Sequence, residues 1–67
     1  MTIEELKAAL LDKEFPERVE IGPDQIVTDH KQFLKTQFIM VGQWNDKKPL
    51  DRCPAYLRLV KFWEVTR

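Results

Sequence analysis

Asp24, Asp29 and His30 fall within the seven-residue stretch DQIVTDH, which gathers two carboxylates and the chain's single histidine. Such a set could bind a cation or move a proton, provided the three side chains converge. The spacing, however, fits neither a calcium loop nor paired histidines on one helix face. Each residue also has a structural use. Asp24 follows Gly22-Pro23 in a turn, Asp29 precedes a helical stretch as an N-cap, and His30 in the first helical turn is expected to be solvated. With a strand between Asp24 and Asp29, no metal site is expected.

A second group is Cys53, followed by Pro54 and preceded by Arg52. Helix starts and neighbouring cations lower a thiol pKa and create nucleophiles. No base is close in sequence, so a small, half-buried structural cysteine is the expected role. The third group is larger: Trp44, Lys47, Lys48, Arg52, Tyr56, Arg58, Lys61 and Trp63 interleave rings with cations through the last third of the chain. That mixture stacks on bases and tracks phosphates in single-stranded nucleic-acid binders. It can equally form the rim of a protein-interaction surface.

Enzymatic roles find little support. The two glycines, Gly22 and Gly42, cannot build a phosphate-cradling loop, and no nucleophile has a placed base. A small-molecule pocket of a few hundred cubic ångströms is expected to hollow out the core of so short a chain. Neither a cofactor nor a small-molecule substrate is expected.

The elements that must position these residues can be read from local signals. The 67 residues are 43% hydrophobic and 33% charged with no net charge, a globular balance sufficient for one small domain. One cysteine excludes an internal disulfide and any multi-cysteine zinc site, which suits a reducing, cytoplasmic setting. No amino-terminal secretory signal and no membrane span are expected, the longest apolar run being Phe38 to Val41. Charge is unevenly divided: residues 1 to 30 carry −5 and residues 31 to 67 carry +5. The default reading is mutual attraction within one fold, the alternative a basic face offered to an acidic partner.

Thr2-Ile-Glu-Glu5 has capping-box spacing, which starts a helix at Ile3, with Met1 and Leu6 at staple positions. Ile3, Leu6, Ala9 and Leu10 share its inner face with the Lys13 stem, and Pro16 ends it by about Lys13 or Glu14. Arg18 to Ile21 and Gln25 to Thr28 flank Gly-Pro-Asp as a β-hairpin, facing Val19, Ile21 and Ile26 or Val27 inward. Asp29 and Gln32 start a second helix whose stripe is Phe33, Leu34, Phe38, Val41 and Trp44, widened by Ile39 and Met40. After the polar loop Gln43 to Leu50, a third helix starts between Asp51 and Pro54.

The fold class is therefore α+β and mainly α: helix, β-hairpin, helix, helix in one compact domain. Its predicted core is Leu6, Leu10, Val19, Ile21, Phe33, Phe38, Leu59, Val60 and Trp63. Between Tyr56 and Val65 the third helix carries seven apolar residues, more than one core face requires. Lys48, Arg52, Tyr56, Arg58, Lys61, Phe62 and Val65 are accordingly the candidate partner surface. The expected role is a non-enzymatic, adaptor-type protein-interaction domain, acting on an unidentified protein or a second copy of itself. Binding of single-stranded nucleic acid through the same residues is the alternative.

The TIEELKAAL helix, Val27, Asp29 and Phe33 in an I-x-D-x-x-x-F-like step, and Pro54, Tyr56, Arg58 and Leu59 in P-x-Y-x-R-L together resemble a family of small bacterial proteins, found mostly in Bacteroidetes. Position 27 is valine where the family pattern has isoleucine, and Asp46 to Leu50 departs from it. The resemblance spans most of the chain and implies a fold. It assigns no activity.

Overall fold

A computed structural model describes residues 2–11, 13–44 and 47–67. Its order is α1 (Ile3–Leu11), β1 (Val19–Gly22), β2 (Gln25–Val27), α2 (His30–Gly42), a 3-10 turn (Leu50–Arg52) and α3 (Pro54–Thr66). This is the expected helix, hairpin, helix, helix arrangement.

At the start of α1 the Thr2 hydroxyl accepts the Glu5 N–H at 3.1 Å. The return arm differs from the expected box: the same hydroxyl donates to Glu5 Oε1 at 3.2 Å, so the carboxylate grips the side chain rather than the Thr2 backbone N–H. Met1, the outer half of the expected staple, lies outside the described residues. Leu6 and Leu10 are fully buried on the inner face, with Ile3, Ala9 and Lys13 half-buried beside them. The helix stops at Leu11, two to three residues short of the predicted limit.

The hairpin pairs Val19 with Val27, Glu20 with Ile26 and Gly22 with Gln25, and Ile21 is the extra residue of a bulge on β1. Pro23 fixes φ near −65° at the first turn position, which excludes the primed hairpin turns, and no described residue has positive φ. The bulge supplies the local twist that such a turn does not. Val19, Ile21 and Val27 face the core, whereas Ile26 points outward. Of the two inward candidates on β2, the structure selects Val27.

Asp29 caps α2 through a 3.2 Å bond from the Gln32 N–H, as its position predicts. Gln32 does not return the bond; its amide donates to Thr36 Oγ1 at 3.4 Å. The deepest positions of α2 are Leu34 and Gln37. Phe33, Phe38 and Val41 lie half-buried on either side of them, and Ile39 and Met40 are exposed rather than part of the stripe.

The stretch before α3 is not wholly irregular. Arg52 and Cys53 donate to the carbonyls of Pro49 and Leu50 at 3.1 and 2.9 Å, closing the 3-10 turn. Cys53 is extended and serves as the N-cap of α3 without a side-chain bond, and Pro54 occupies the first turn, where it has no N–H to lose. The third helix then packs against α1, α2, β1 and the 3-10 turn, and it is the hub of the fold.

That arrangement corrects the predicted core. Phe33, Phe38, Val60 and Trp63 form a half-buried shell, while Val27, Leu34, Cys53, Ala55 and Phe62 are buried with Leu6, Leu10, Val19, Ile21 and Leu59. A hub helix needs apolar residues on several sides, which accounts for five of the seven between Tyr56 and Val65; Leu57 and Val65 stay exposed. No helix among the described residues is long and apolar enough to cross a membrane.

Candidate functional site

The structure divides the expected α3 surface. Phe62, placed on that surface by the sequence, is 0% exposed and belongs to the core. It meets Phe15 edge-on with ring centroids 4.8 Å apart and Phe33 at 5.2 Å, so the loop after α1 and helix α2 converge on one ring of α3. Tyr56 and Arg58 are half-buried, and Arg58 Nη1 donates to Gln37 Oε1 of α2 at 3.4 Å. Arg58 therefore satisfies a buried amide inside the fold. Lys48, Arg52, Lys61 and Val65 are exposed.

The exposed members do not make a continuous apolar patch. Leu57 and Val65 lie one helical turn either side of Lys61 on the outer face of α3, so a cation interrupts them. The aromatic platforms are also occupied: Lys48 Nζ sits 5.8 Å from the Trp44 ring, and the Arg67 guanidinium 4.8 Å from that of Trp63. Nucleobase stacking requires open ring faces, and these pairs cover one face of each indole.

In the DQIVTDH stretch, Asp24 is exposed in the hairpin turn, and Asp29 caps α2. Among the described residues no three His, Cys, Asp or Glu side chains are grouped to hold a metal. His30 departs from expectation, being packed instead of solvated. Its ring stacks on Phe15 at 5.4 Å and meets the edge of Phe62 at 6.1 Å, and its Nε2 is buried without a hydrogen-bond partner among the described residues. Helix position alone suggested solvent, but the loop after α1 folds Phe15 back over the start of α2. Cys53 is 2% exposed, more deeply buried than expected, and does not present a thiol to solvent.

An open concavity lies elsewhere. Helices α1 and α2 both pack on α3 but make little contact with each other. The gap between them is an open groove of about 880 Å³. Its apolar surface comes from Leu10, Leu11, Phe15, Leu34 and Phe38. Lys7 and Lys13 edge it from the α1 side, Lys31 and Lys35 from α2, with Thr28, Asp29 and His30 at the joining end. Four lysines thus face one described carboxylate, that of Asp29, which is already engaged at the helix cap. Lys7 Nζ lies 5.9 Å from the Phe38 ring and so reaches across the groove. Lys13, Lys31 and Lys35 make no ion pair with any described residue.

The expectation that a small-molecule pocket would hollow out the core concerns an enclosed cavity, which this open groove is not. The groove lies beside the core, where two helices diverge. Sequence offered only fragments of it, namely Lys31 and Lys35 one turn apart next to Leu34 and Phe38, and lysines at 7 and 13 in an otherwise acidic segment. Nothing local relates α1 to α2, because their relative placement is set by α3.

A family model described as Domain of unknown function (DUF6965) matches residues 1–67, the whole chain. No curated protein and no solved structure matches it.

Proposed function

The chain belongs to the family described as Domain of unknown function (DUF6965), and we propose that it is a non-enzymatic, adaptor-type protein-interaction domain of the reducing cytoplasm whose partner surface is the groove between α1 and α2. The observation that carries this reading is the groove itself: an apolar floor, left open between two helices, beside Lys13, Lys31 and Lys35, which make no ion pair among the described residues. Exposed apolar surface rimmed by polar groups is typical of interaction sites on small soluble folds. Leu11, at 60% exposure the most open large apolar side chain described, stands on its edge.

The sequence-level alternative, nucleic-acid binding through the basic and aromatic last third, has weaker support. Its rings are paired with the protein's own cations, and Arg58 is committed to Gln37.

Site-specific photo-crosslinking in cells tests the reading. A benzophenone side chain at Leu11 should give a discrete adduct with another protein, and one at Leu57 on the outer face of α3 should not. Adducts at Leu57 alone would move the interface back to α3. Salt-sensitive binding of a labelled single-stranded oligonucleotide, lost on Lys61→Glu, would instead establish the alternative, since phosphate contacts release counterions.

A further inference from the structure

We infer that the occupant of this groove is an acidic amphipathic helix of a partner protein. The inference rests on the reading of the groove as the partner surface and adds the chemistry of what fills it. Three observations specify that chemistry.

The first is shape. The groove runs between helices of 9 and 13 residues, about 13 and 20 Å long at 1.5 Å per residue. Two helices that share a third as their floor but leave each other apart form a slot into which another helix can lay one face. The site is a trough rather than a closed chamber. Leu11 remains largely exposed and Phe38 half-buried, whereas pockets for small molecules enclose most of the ligand.

The second is the floor. Leu11 is exposed on the α1 side and Phe38 only half-buried on the α2 side, which gives an incoming helix an apolar side chain on each wall to meet, above the buried Leu10 and Leu34. A partner with apolar residues at i, i+4 and i+7 would bury its stripe there.

The third is charge. Lys31 and Lys35 stand four residues apart and therefore one turn apart on the same side of α2. They match carboxylates spaced one turn apart on a helix lying alongside. Lys7 and Lys13 supply the opposite edge. Cations on both edges favour an acidic occupant and disfavour a basic one, and they would steer its approach. A nucleic-acid strand would gain from the lysines but would leave the exposed Leu11 without an apolar side chain to cover it.

The test uses the full chain and three fluorescein-labelled peptides of about 15 residues, long enough for helix to form on binding. One carries Leu at i, i+4 and i+7 with Glu on both flanks, the second has Lys in place of each Glu, and the third is the acidic peptide with a central proline. Anisotropy should show the acidic peptide binding, the Lys version at least about tenfold weaker, and the proline version not binding. Lys31→Glu with Lys35→Glu, both at exposed positions, should reverse the preference for charge without lowering the unfolding midpoint. Leu11→Arg should weaken every peptide.

Equal binding of the acidic and Lys peptides, still lost on Leu11→Arg, would overturn the acidic class and leave the groove as partner surface. Binding of no peptide, or binding untouched by Leu11→Arg, would overturn the groove reading as well. Sedimentation of the chain alone gives the last outcome. A dimer that dissociates in the double lysine variant would make the occupant a second copy and remove the heterologous helix.

Discussion

His30 and Phe15 stack with centroids 5.4 Å apart and planes inclined by 26°, and this contact ties the loop after α1 to the first turn of α2. His30 Nε2 is buried and has no hydrogen-bond partner among the described residues. An unpaired buried polar atom costs about 1–3 kcal/mol, while replacing it with an apolar group of similar shape is close to neutral or better. His30→Phe should therefore match or exceed the wild type in urea unfolding. A loss of more than about 1 kcal/mol would mean that Nε2 has a partner essential to the fold.

Asp29 holds the start of α2 through the Gln32 N–H. Asp29→Ala should cost about 0.5–2 kcal/mol, and Asp29→Asn much less, since the amide oxygen can accept the same bond. Both are read from denaturant midpoints. An equal loss in the two variants would show that the negative charge matters more than the cap.

Phe62 was expected on a partner surface and lies at the centre of the core, with Phe15 and Phe33 against it. Phe62→Ala should cost about 3–5 kcal/mol. Total stability is roughly 3–10 kcal/mol for a chain of this length, so the variant should lose between about a third and all of it, read from the denaturant midpoint by circular dichroism. Leu57→Ala and Val65→Ala, at 51% and 43% exposure, should stay within about 1 kcal/mol of the wild type. The contrast separates the two sides of α3 without any knowledge of a partner.

Gly42 closes α2 with φ outside the left-handed region, and a methyl group added there would meet nothing within 4 Å. Glycine is thus present without a conformational need for it. Gly42→Ala should raise stability by about 0.4–1 kcal/mol, mainly by restricting the unfolded chain. A lower melting temperature would contradict the open environment of this residue.

What could be read from the sequence was whatever short-range chemistry decides. Thr2 and Glu5 placed the start of α1, Gly-Pro-Asp the turn of the hairpin, Asp29 the start of α2, and Pro54 the first turn of α3. Each acts within three or four residues of itself. The sequence did not distinguish a helix with one buried face from a helix surrounded by neighbours, and so Phe62 and Val65 were placed together although one is enclosed and the other open. His30 was misjudged for a related reason. Its helix position was clear, but Phe15, from a loop fifteen residues earlier, covers it. The groove was the least legible feature because it is defined by two helices that fail to meet.

The central position of α3 also bears on how the chain folds. Helix α1 and strand β1 both dock on α3, which lies far from them in the sequence. A nine-residue helix and a two-stranded hairpin are each marginal alone in water. Loop-closure entropy must therefore be met before most of the stabilising contacts form, which slows folding relative to a bundle built from sequence neighbours. The transition state is then expected to contain α3 with β1 already docked, and substitutions at Val19 and Leu59 should slow folding more than they speed unfolding.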